Sequence, residues 1–541
     1  MQNTPTQARI QRLSVDIQKA ETANDMPAQV TLYKELARLS PNTTLVHAKI
    51  AHLLHEMGDV EAAAPFVTRA LELAHDKAAD TMLFTHLPKL PLYTGNPEQA
   101  RSWYQAHPSL TRFKLLHEAL TPLSAYDEIE RRIHELLGSN LHTGEQSQLL
   151  TLLAQVYRHQ GRYHDCIGCY KLGLELTPDN PTQMLNLGAV LEHIGRHSEA
   201  LACYRRLIAV DPSNAQAHNN LSITLLRYGE FELGWQQHEW RWPAIQADHE
   251  QHFAIPRWRG EPLAGKTLLV WAEQGIGDHI MYGSLLKELS LTGAKLHIEI
   301  YLRLDGLFGR SFPGINFLRR ELVGEDSIGD QQVFKQSWPK ADYQIPMASL
   351  CGIFRNSRES FGDGAPYLQA DPARVEEFKA KYSALFPGKR LIGVSWRGGK
   401  SKFTQRQGRN VELEELASLA KLTGVQFIDL QYDSTAADIA RLHAAGLQIH
   451  HDDEVDPTAM MDAQAAQISA LDAVISVDNT TVHLAGALGV PTFALIQLNP
   501  DWRWGLQGST TLWYQSVHLL RNTTNGGFQQ QLEQVIEALQ A

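Results

Sequence analysis

The sequence lacks several features that would assign the chain to a specialised class of protein. No apolar run approaches the roughly 18–20 residues that a membrane-spanning helix needs. The first ten residues contain no apolar core of a signal peptide, so we expect a cytoplasmic location and no transmembrane segment. The net charge of −11 argues against a nucleic-acid partner, because such proteins usually carry a basic excess.

Cysteine is also scarce, and its four copies in 541 residues exclude a disulfide framework. Cys166 and Cys169 form a C-x-x-C pair, which is compatible with redox or metal chemistry or with two small buried positions. No second pair and no histidine at ligand spacing follows, so the sequence favours buried positions and no metal site.

The first half of the sequence is repetitive. Gly161, Gly195 and Gly229 follow one another at a spacing of 34 residues. This period, with a glycine between two helical patterns, is typical of tetratricopeptide repeats. Weaker copies surround Gly58, so we predict a helical solenoid of roughly five or six helix pairs over residues 1–242.

A helical solenoid offers a curved groove that can hold another polypeptide. We extend the pattern to a helix-turn-helix around Gly95, and assembly into a homo-oligomer stays an alternative use of the repeats. At the end of the solenoid, WQQHEWRW at 235–242 is interpreted as an apolar seal against the next domain or as a stacking platform for a sugar. Residues 243–264 contain prolines and are predicted to be a linker.

From Lys266 onwards, continuous apolar runs of strand length alternate with helical patterns. This alternation predicts βαβ units and parallel sheets. We expect two Rossmann-like domains, 265–385 and 386–541, that face a cleft and bind ligands at the carboxyl ends of their strands. The clearest runs are TLLVWA at 267–272, LHIEIY at 296–301, LIGVSW at 391–396 and TFALI at 492–496.

A group of polar residues follows a buried strand within VDNTTVHLAGALGVPT at 477–492. Asp478, Asn479, Thr480 and Thr481 lie where the strand ends and a helix of small residues begins. The first N–H groups of a helix have no partner inside it and favour an anion such as phosphate. The alternative is an ordinary N-cap by Asp478 or Asn479.

A cationic loop, SWRGGKSKFTQRQGR at 395–409, follows another strand directly. Cations and hydroxyls at the carboxyl end of a strand suit a diphosphate. The predicted ligands are Ser395, Arg397, Lys402 and Arg406. The alternative is a mobile, charged surface loop without ligands.

The loop EQGIGDH at 273–279 contains two glycines and a carboxylate at a predicted helix start. Gly275 and Gly277 allow close approach of a substrate to the backbone. Asp278 can accept a proton from an attacking hydroxyl, or it can simply cap the helix. The third glycine of the dinucleotide fingerprint is missing, so we do not predict NAD binding.

The stretch 477–492 resembles the signature of the heptosyltransferase-like glycosyltransferases of family 9, which binds the diphosphate of a nucleotide-sugar. Gly277-Asp278 resembles the Gly-Asp of that family, whose aspartate is the proposed base. The resemblance implies Asp278 as catalytic base, with His279 as second candidate. It extends the set of donor-binding residues to His483.

The family has the GT-B fold and inverts the anomeric centre by direct displacement, without a metal or other cofactor. Repeats followed by such a part resemble the protein O-glycosyltransferases, including the O-GlcNAc transferase type and the bacterial flagellin glycosyltransferases. This resemblance implies a nucleotide-sugar donor and a protein Ser or Thr acceptor, flagellin among the candidates, that is bound by the repeat groove.

The sequence departs from the family pattern, because Asn479-Thr480 stands where Ser/Thr-Gly is usual, so the donor need not be ADP-heptose. Two alternative functions stay open: transfer to a lipopolysaccharide or other glycan, and an inactive scaffold. Trp502 and Trp504 either stack on a base or pack in the protein.

Overall fold

The computed structural model describes residues 5–73, 97–106, 108–246, 253–273, 275–322, 334–335, 338–398, 409–457, 459–523 and 526–540. The chain forms two compact units, Met1–Val190 and Leu191–Ala541. None of the helices in these ranges is both long and apolar enough to cross a membrane.

Thirteen α-helices precede the first strand in the described residues. A glycine with positive φ ends the first helix of a pair at Gly58, Gly161, Gly195 and Gly229, where φ lies between 74° and 83°. The predicted helical repeats are therefore confirmed, whereas the pair predicted around Gly95 lies outside the described residues. The helices are α1 Pro5–Thr22, α2 Met26–Leu39, α3 Thr44–Glu56, α4 Val60–Leu73, α5 Pro97–Ala106, α6 Leu110–Leu120, α7 Tyr126–Leu137, α8 Thr143–His159, α9 Tyr163–Leu176, α10 Pro181–His193, α11 His197–Val210, α12 Ala215–Tyr228 and α13 Phe231–His238.

The C-x-x-C pair lies inside α9. Cys166 and Cys169 are both buried and free. Burial raises the pKa of the Cys166 thiol to about 12 and that of Cys169 to about 11. Both thiols are therefore protonated at neutral pH, which favours the interpretation as packed core positions.

The three helices before the first sheet, α11 to α13, belong to the same compact unit as the two sheets. Leu226, Phe231 and Trp235 share one apolar core with residues of the first and second sheets. The segment after α13 ends in a π-helical turn, Trp242–Gln246. The predicted domain boundaries at 242, 264 and 385 stay predictions.

The first sheet has five strands in the order β4-β3-β2-β1-β5, and only β4 is antiparallel to its neighbour. The apolar run of β1 is buried on both faces, as a central parallel strand requires. The strands are β1 Thr267–Trp271, β2 Lys295–Tyr301, β3 Asn316–Leu322, β4 Phe334–Lys335 and β5 Tyr343–Pro346. The helices are α14 Ile276–Gly283, α15 Leu286–Ser290, α16 Asp305–Ser311, α17 Leu350–Phe354 and α18 Pro372–Leu385.

The second sheet has six parallel strands in the order β11-β10-β9-β6-β7-β8. Read from β8, this is the doubly wound 3-2-1-4-5-6 order, and its direction reverses between β6 and β9. The strands are β6 Arg390–Ser395, β7 Val425–Asp429, β8 Ile449–His450, β9 Ala473–Val477, β10 Thr492–Ile496 and β11 Val517–Arg521. The helices are α19 Leu413–Leu416, α20 Ala436–Ala444, α21 Met461–Ser469, α22 Thr480–Leu488 and α23 Gln529–Gln540.

The predicted fold class, a tetratricopeptide solenoid followed by two Rossmann-like sheets, is thus confirmed. Small residues in α22 let it lie close to its neighbours. A Cβ on Gly486 would come within 2.6 Å of Cγ of Tyr514 and within 2.9 Å of Cγ2 of Val517. Glycine at 486 is therefore a packing requirement.

We predict that Gly486→Ala lowers the free energy of unfolding by about 1–3 kcal/mol, because overpacking a tight core costs this much. The matched control is Gly309→Ala in α16, where an added Cβ meets nothing within 4 Å. There the gain in helix propensity should stabilise the fold by up to about 1 kcal/mol. Urea unfolding of both variants measures the difference, and equal effects would contradict the packing argument.

Candidate functional site

The N-terminus of α22 is held against the end of β6 by one amide side chain. Asn479 is the N-cap, and its Oδ1 accepts from the N–H of Thr481 at 2.9 Å and from Oγ of Ser476 at 2.9 Å. Its Nδ2 donates to Oγ of Ser395 at 2.8 Å and to the carbonyl of Arg397 at 3.0 Å. Asn479 is therefore the cap that the sequence offered as an alternative, and its amide is engaged in holding the two strand ends together.

This junction lies at the point where the strand order of the second sheet reverses. β6 and β9 are neighbours, with Ser395 opposite Ser476. Ligands of doubly wound sheets bind in the crevice at such a reversal. α22 begins at this point, and its first turn carries the hydroxyls of Thr480 and Thr481.

Asp478 is paired with the last cation of the predicted cationic loop. Its carboxylate is buried, and Oδ2 lies 3.1 Å from Nη2 of Arg409. The same guanidinium donates to the backbone carbonyl of Asp478. The guanidinium of Arg409 thus neutralises a buried carboxylate, and its two contacts hold this end of the cationic loop beside the start of α22.

Two other members of the cationic loop are paired with polar groups of the protein. Ser395 is buried and donates from its Oγ to Oε1 of Gln431 at 3.2 Å. The guanidinium of Arg397 lies 2.9 Å from Oδ2 of Asp438 and 3.3 Å from Oδ1 of Asp433. These contacts support a structural role for both residues, and their use as donor ligands stays a prediction. Lys402 and Arg406 lie outside the described residues.

In the first sheet, Gly275 is the N-cap of α14 and Asp278 is in its first turn. Oδ2 of Asp278 accepts from the N–H of Gly275 at 3.1 Å, which is the capping contact that the sequence allowed. The side chain is 18% exposed, so this carboxylate reaches the surface of the site. A Cβ on Gly275 would meet only ordinary van der Waals contact, so nothing in this loop requires glycine there.

His279 differs from Asp278 in being fully buried. Its Nδ1 donates to the carbonyl of Gly275 at 3.2 Å, and its ring packs edge-on against Tyr301. Burial lowers the pKa of His279 to about 4, and the nearby Arg320 contributes. The imidazole is therefore neutral at pH 7 and lies away from solvent, which favours Asp278 over His279 as the base.

Arg503 connects the loops of the two sheets. Its Nη1 lies 2.9 Å from Oδ1 of Asp278 and 3.3 Å from Nε2 of His483, and its Nε lies 3.3 Å from Oδ1 of Asp501. Burial by itself lowers the pKa of Arg503, but the carboxylates of Asp501, Asp278 and Asp478 outweigh it and raise that pKa. Arg503 therefore stays charged although only 13% of its side chain is exposed.

The tautomer of His483 follows from these contacts. A guanidinium can only donate, so Nε2 of His483 accepts from Arg503 and Nδ1 donates to Oη of Tyr514 at 2.8 Å. Burial and the charge of Arg503 hold the pKa of His483 well below its usual value. His483 is thus a neutral link between α22 and the loop that carries Arg503.

Gly277 lets the two loops touch. A Cβ at this position would lie 3.2 Å from Cδ2 of His483 and 3.5 Å from Oγ1 of Thr480. At Gly277 the sequence predicts the close approach of a substrate. In the structure, the start of α22 approaches the backbone there. As a result, Asp278 lies in the turn beside the start of α22.

The structure therefore brings together Gly277, Asp278, Thr480 and His483. Sequence reasoning missed Arg503, although its segment NPDWRW follows the carboxyl end of β10 and the same rule about strand ends applies to it. The neighbouring tryptophans are packed: Trp502 lies edge-on to Trp235, and Trp504 stacks on His483. In the ranges that the structure describes, no group of three or more metal-ligating side chains occurs.

Comparison with known proteins identifies the repeats. Residues 145–213 match the family model described as tetratricopeptide repeat. Over 326 residues the chain is 31% identical to Protein FlbA of Caulobacter vibrioides, an alignment that covers 59% of this chain and 54% of that protein. The chain thus spans about half the length of this curated relative.

Solved structures of glycosyltransferases are similar to parts of the chain. A glycosyl transferase of family 9 from Veillonella parvula is 13% identical and covers 52% of this chain and 91% of its own, with a TM-score of 0.35. ADP-heptose lps heptosyltransferase II of E. coli is 15% identical and covers 51% of this chain and 97% of its own, with a TM-score of 0.32. The chain contains tetratricopeptide repeats and continues into two mostly parallel α/β sheets.

The buried histidines make stability depend on pH. Below about pH 6.5 an unfolded histidine binds a proton, whereas His279 in the folded protein does so only near pH 4. Folded stability is therefore lost as pH falls through this window.

We predict that His279→Gln reduces the loss of unfolding free energy between pH 7 and pH 5 by about 2 kcal/mol. Urea unfolding at the two pH values measures it. The control is His518→Gln at an exposed position. An unchanged pH dependence in the His279 variant would contradict the burial argument.

Proposed function

We propose that the chain is an inverting glycosyltransferase that needs no metal and moves a sugar from a nucleotide-sugar to Ser or Thr of a protein. One observation carries the proposal: Gly277 packs against the first turn of α22, and the carboxylate of the next residue, Asp278, is linked to His483 of that helix through Arg503. A base held near an anion site is what a displacement at a sugar diphosphate requires.

The donor diphosphate is assigned to the start of α22. Within this helix the N–H of Thr481 is used by Asn479, whereas the N–H groups of the first and third helical residues have no intrahelical partner. Together with the threonine hydroxyls and the positive end of the helix dipole, they favour phosphate oxygens. Thr480 and Thr481 are therefore the proposed phosphate ligands.

The charges of the described residues limit how the diphosphate is held. Arg409 and Arg503 are balanced by three carboxylates, those of Asp278, Asp478 and Asp501. A diphosphate therefore needs further cations. Lys402 and Arg406, which lie in the 395–409 loop together with Arg409, are the proposed source. These cations would stabilise the leaving diphosphate, a role that a metal ion has in other enzymes.

The proposed reaction is a single displacement. Asp278 accepts the proton of the acceptor hydroxyl as that oxygen forms a bond to the anomeric carbon. The bond from this carbon to the phosphate oxygen breaks in the same step, and the diphosphate leaves with the electron pair. Attack from the face opposite the leaving group inverts the anomeric centre.

A protein acceptor is proposed because the chain begins with stacked helical pairs. Residues 145–213 match tetratricopeptide repeats, and such repeats form curved surfaces that bind polypeptides. Flagellin is the first candidate acceptor. A glycan acceptor and an inactive scaffold are the alternatives that the experiments below separate.

We predict that co-expression with the chain adds a sugar-sized mass to an acceptor, measured by intact-protein mass spectrometry with flagellin first. Asp278→Ala should abolish the gain, because no base accepts the hydroxyl proton. Glu533→Ala, at an exposed position of α23, is the control and should retain it. A gain with Asp278→Ala would refute the assignment of the base, and transfer to glycolipid alone would identify a glycan acceptor.

We also predict that one nucleoside diphosphate stabilises both the wild type and Asp278→Ala. A ligand at 100 times its Kd adds about 2.7 kcal/mol to the free energy of unfolding, which a thermal-shift panel detects. The stabilisation should persist in EDTA, because no metal holds the diphosphate. No shift with any nucleotide would favour the inactive scaffold.

A further inference from the structure

Arg241 lies in a segment that we name the tail segment, residues 235–242, which comprises the second half of α13 and the four residues that follow it. Its guanidinium is fully buried. Nε donates to Oε2 of Glu273 at 2.7 Å, and Nη2 donates to Oε1 of Glu273 at 2.8 Å and to Oγ of Ser349 at 2.9 Å. Nη1 donates to the carbonyl of His238 at 3.0 Å and to Oε1 of Glu239 at 3.3 Å. Each of the five guanidinium N–H groups thus has an acceptor.

Glu273 is the residue through which Arg241 reaches the transfer site. It lies just beyond the carboxyl end of β1, in the loop that continues to Asp278. Its Oε1 also accepts from the N–H of Ala348 at 2.9 Å, after the neighbouring strand β5. Arg241 therefore occupies the point where the strand order of the first sheet reverses, and it fixes the start of the loop.

A second path leads from the tail segment to the carboxylate of Asp278. Trp235 donates from its Nε1 to the carbonyl of Arg355 at 2.8 Å and packs edge-on to Trp502, with ring centroids 5.1 Å apart. The guanidinium carbon of Arg503 lies 5.3 Å from the ring centroid of Trp502. Arg503 in turn pairs with Asp278 at 2.9 Å.

The two paths converge on one carboxylate from opposite ends. One path ends at Glu273, five residues before Asp278, and the other ends at the cation paired with Oδ1 of Asp278. The pair of Arg241 with Glu273 is buried, and a buried guanidinium depends strongly on its paired charge. An apolar seal between domains would need neither the bidentate ion pair nor the hydrogen bond of the indole.

We propose that the tail segment is a positioning part of the transfer site, with Arg241 and Trp235 as positioning residues that hold Asp278 in its reactive orientation. This inference rests on the proposed function. The tail segment thereby connects the last repeat helices to the loop that carries the base. The end of the repeat region then contributes to turnover as well as to acceptor binding.

The test uses the full chain with Arg241→Lys, which keeps the charge but loses the bidentate geometry, and with Trp235→Phe, which loses the indole donor. Glu232→Ala, exposed on α13, is the control. We expect kcat to fall at least 10-fold in both tail variants, while KM for the nucleotide-sugar and the nucleotide-induced thermal shift change less than 3-fold. Trp235→Phe keeps the test valid if Arg241→Lys does not fold.

Amide hydrogen exchange gives a readout that does not depend on activity. In both tail variants we expect at least 10-fold faster exchange over α14, residues 276–283, and unchanged exchange over α23, residues 529–540. Exchange that accelerates equally across residues 191–541 would mean that the segment only stabilises the fold, which overturns the proposal.

The outcomes separate this inference from the proposed function. Absence of transfer by the wild type, to any acceptor, would reject the proposed function, and hydrogen exchange over α14 would then decide the positioning role alone. Wild-type transfer with kcat and exchange of both tail variants equal to those of Glu232→Ala would overturn the positioning role and leave the proposed function intact.

Discussion

The contact of Arg503 with Asp278 and His483 is the interaction on which the geometry of the site depends. Arg503 comes from the loop after β10, whereas its two partners come from the first turns of α14 and α22. One cation thus ties the first sheet to the second where the proposed base lies near the proposed phosphate-binding helix. Gly277 permits this close approach because it has no side chain, and burial together with the charge of Arg503 keeps His483 neutral.

The charged side chains in the described part of the site are paired with one another. Two arginines face three carboxylates in the described part of the site, and each arginine is paired. The protein can therefore bury these groups at moderate cost, because no charge is left without a partner. The same balance means that an incoming diphosphate has to be met by cations from elsewhere, and the sequence of the 395–409 loop offers them.

Much of the fold could be predicted from local patterns. The 34-residue spacing of glycines gave the helix pairs, because each glycine adopts the left-handed conformation that ends a helix. Apolar runs such as the one in β1 gave the central strands, because a parallel strand is buried on both faces. The sequence allows either a cap or a phosphate ligand at Asn479. The structure shows the cap, and the Nδ2 of Asn479 also donates to Oγ of Ser395 and to the carbonyl of Arg397 at the neighbouring strand end.

The side-chain partners could not be predicted in the same way, because a guanidinium pairs with whatever acid the tertiary fold brings near it. Arg397 is a predicted phosphate ligand by its place after β6, and the fold also brings its guanidinium beside Asp433 and Asp438. Arg241 looked like part of an apolar seal, yet it forms a bidentate pair with Glu273, 32 residues away in sequence. Such pairs carry no periodic signal, so only the assembled sheets reveal them.

The most direct test of the account is a crystal structure of the chain with the nucleoside diphosphate that stabilises it most. The account predicts phosphate oxygens within hydrogen-bonding distance of the hydroxyls of Thr480 or Thr481 and of the first-turn N–H groups of α22, with Asp278 on the side where the sugar would be attached. Phosphates bound away from α22, with its first turn empty, would contradict the assignment of the donor site and with it the proposed reaction.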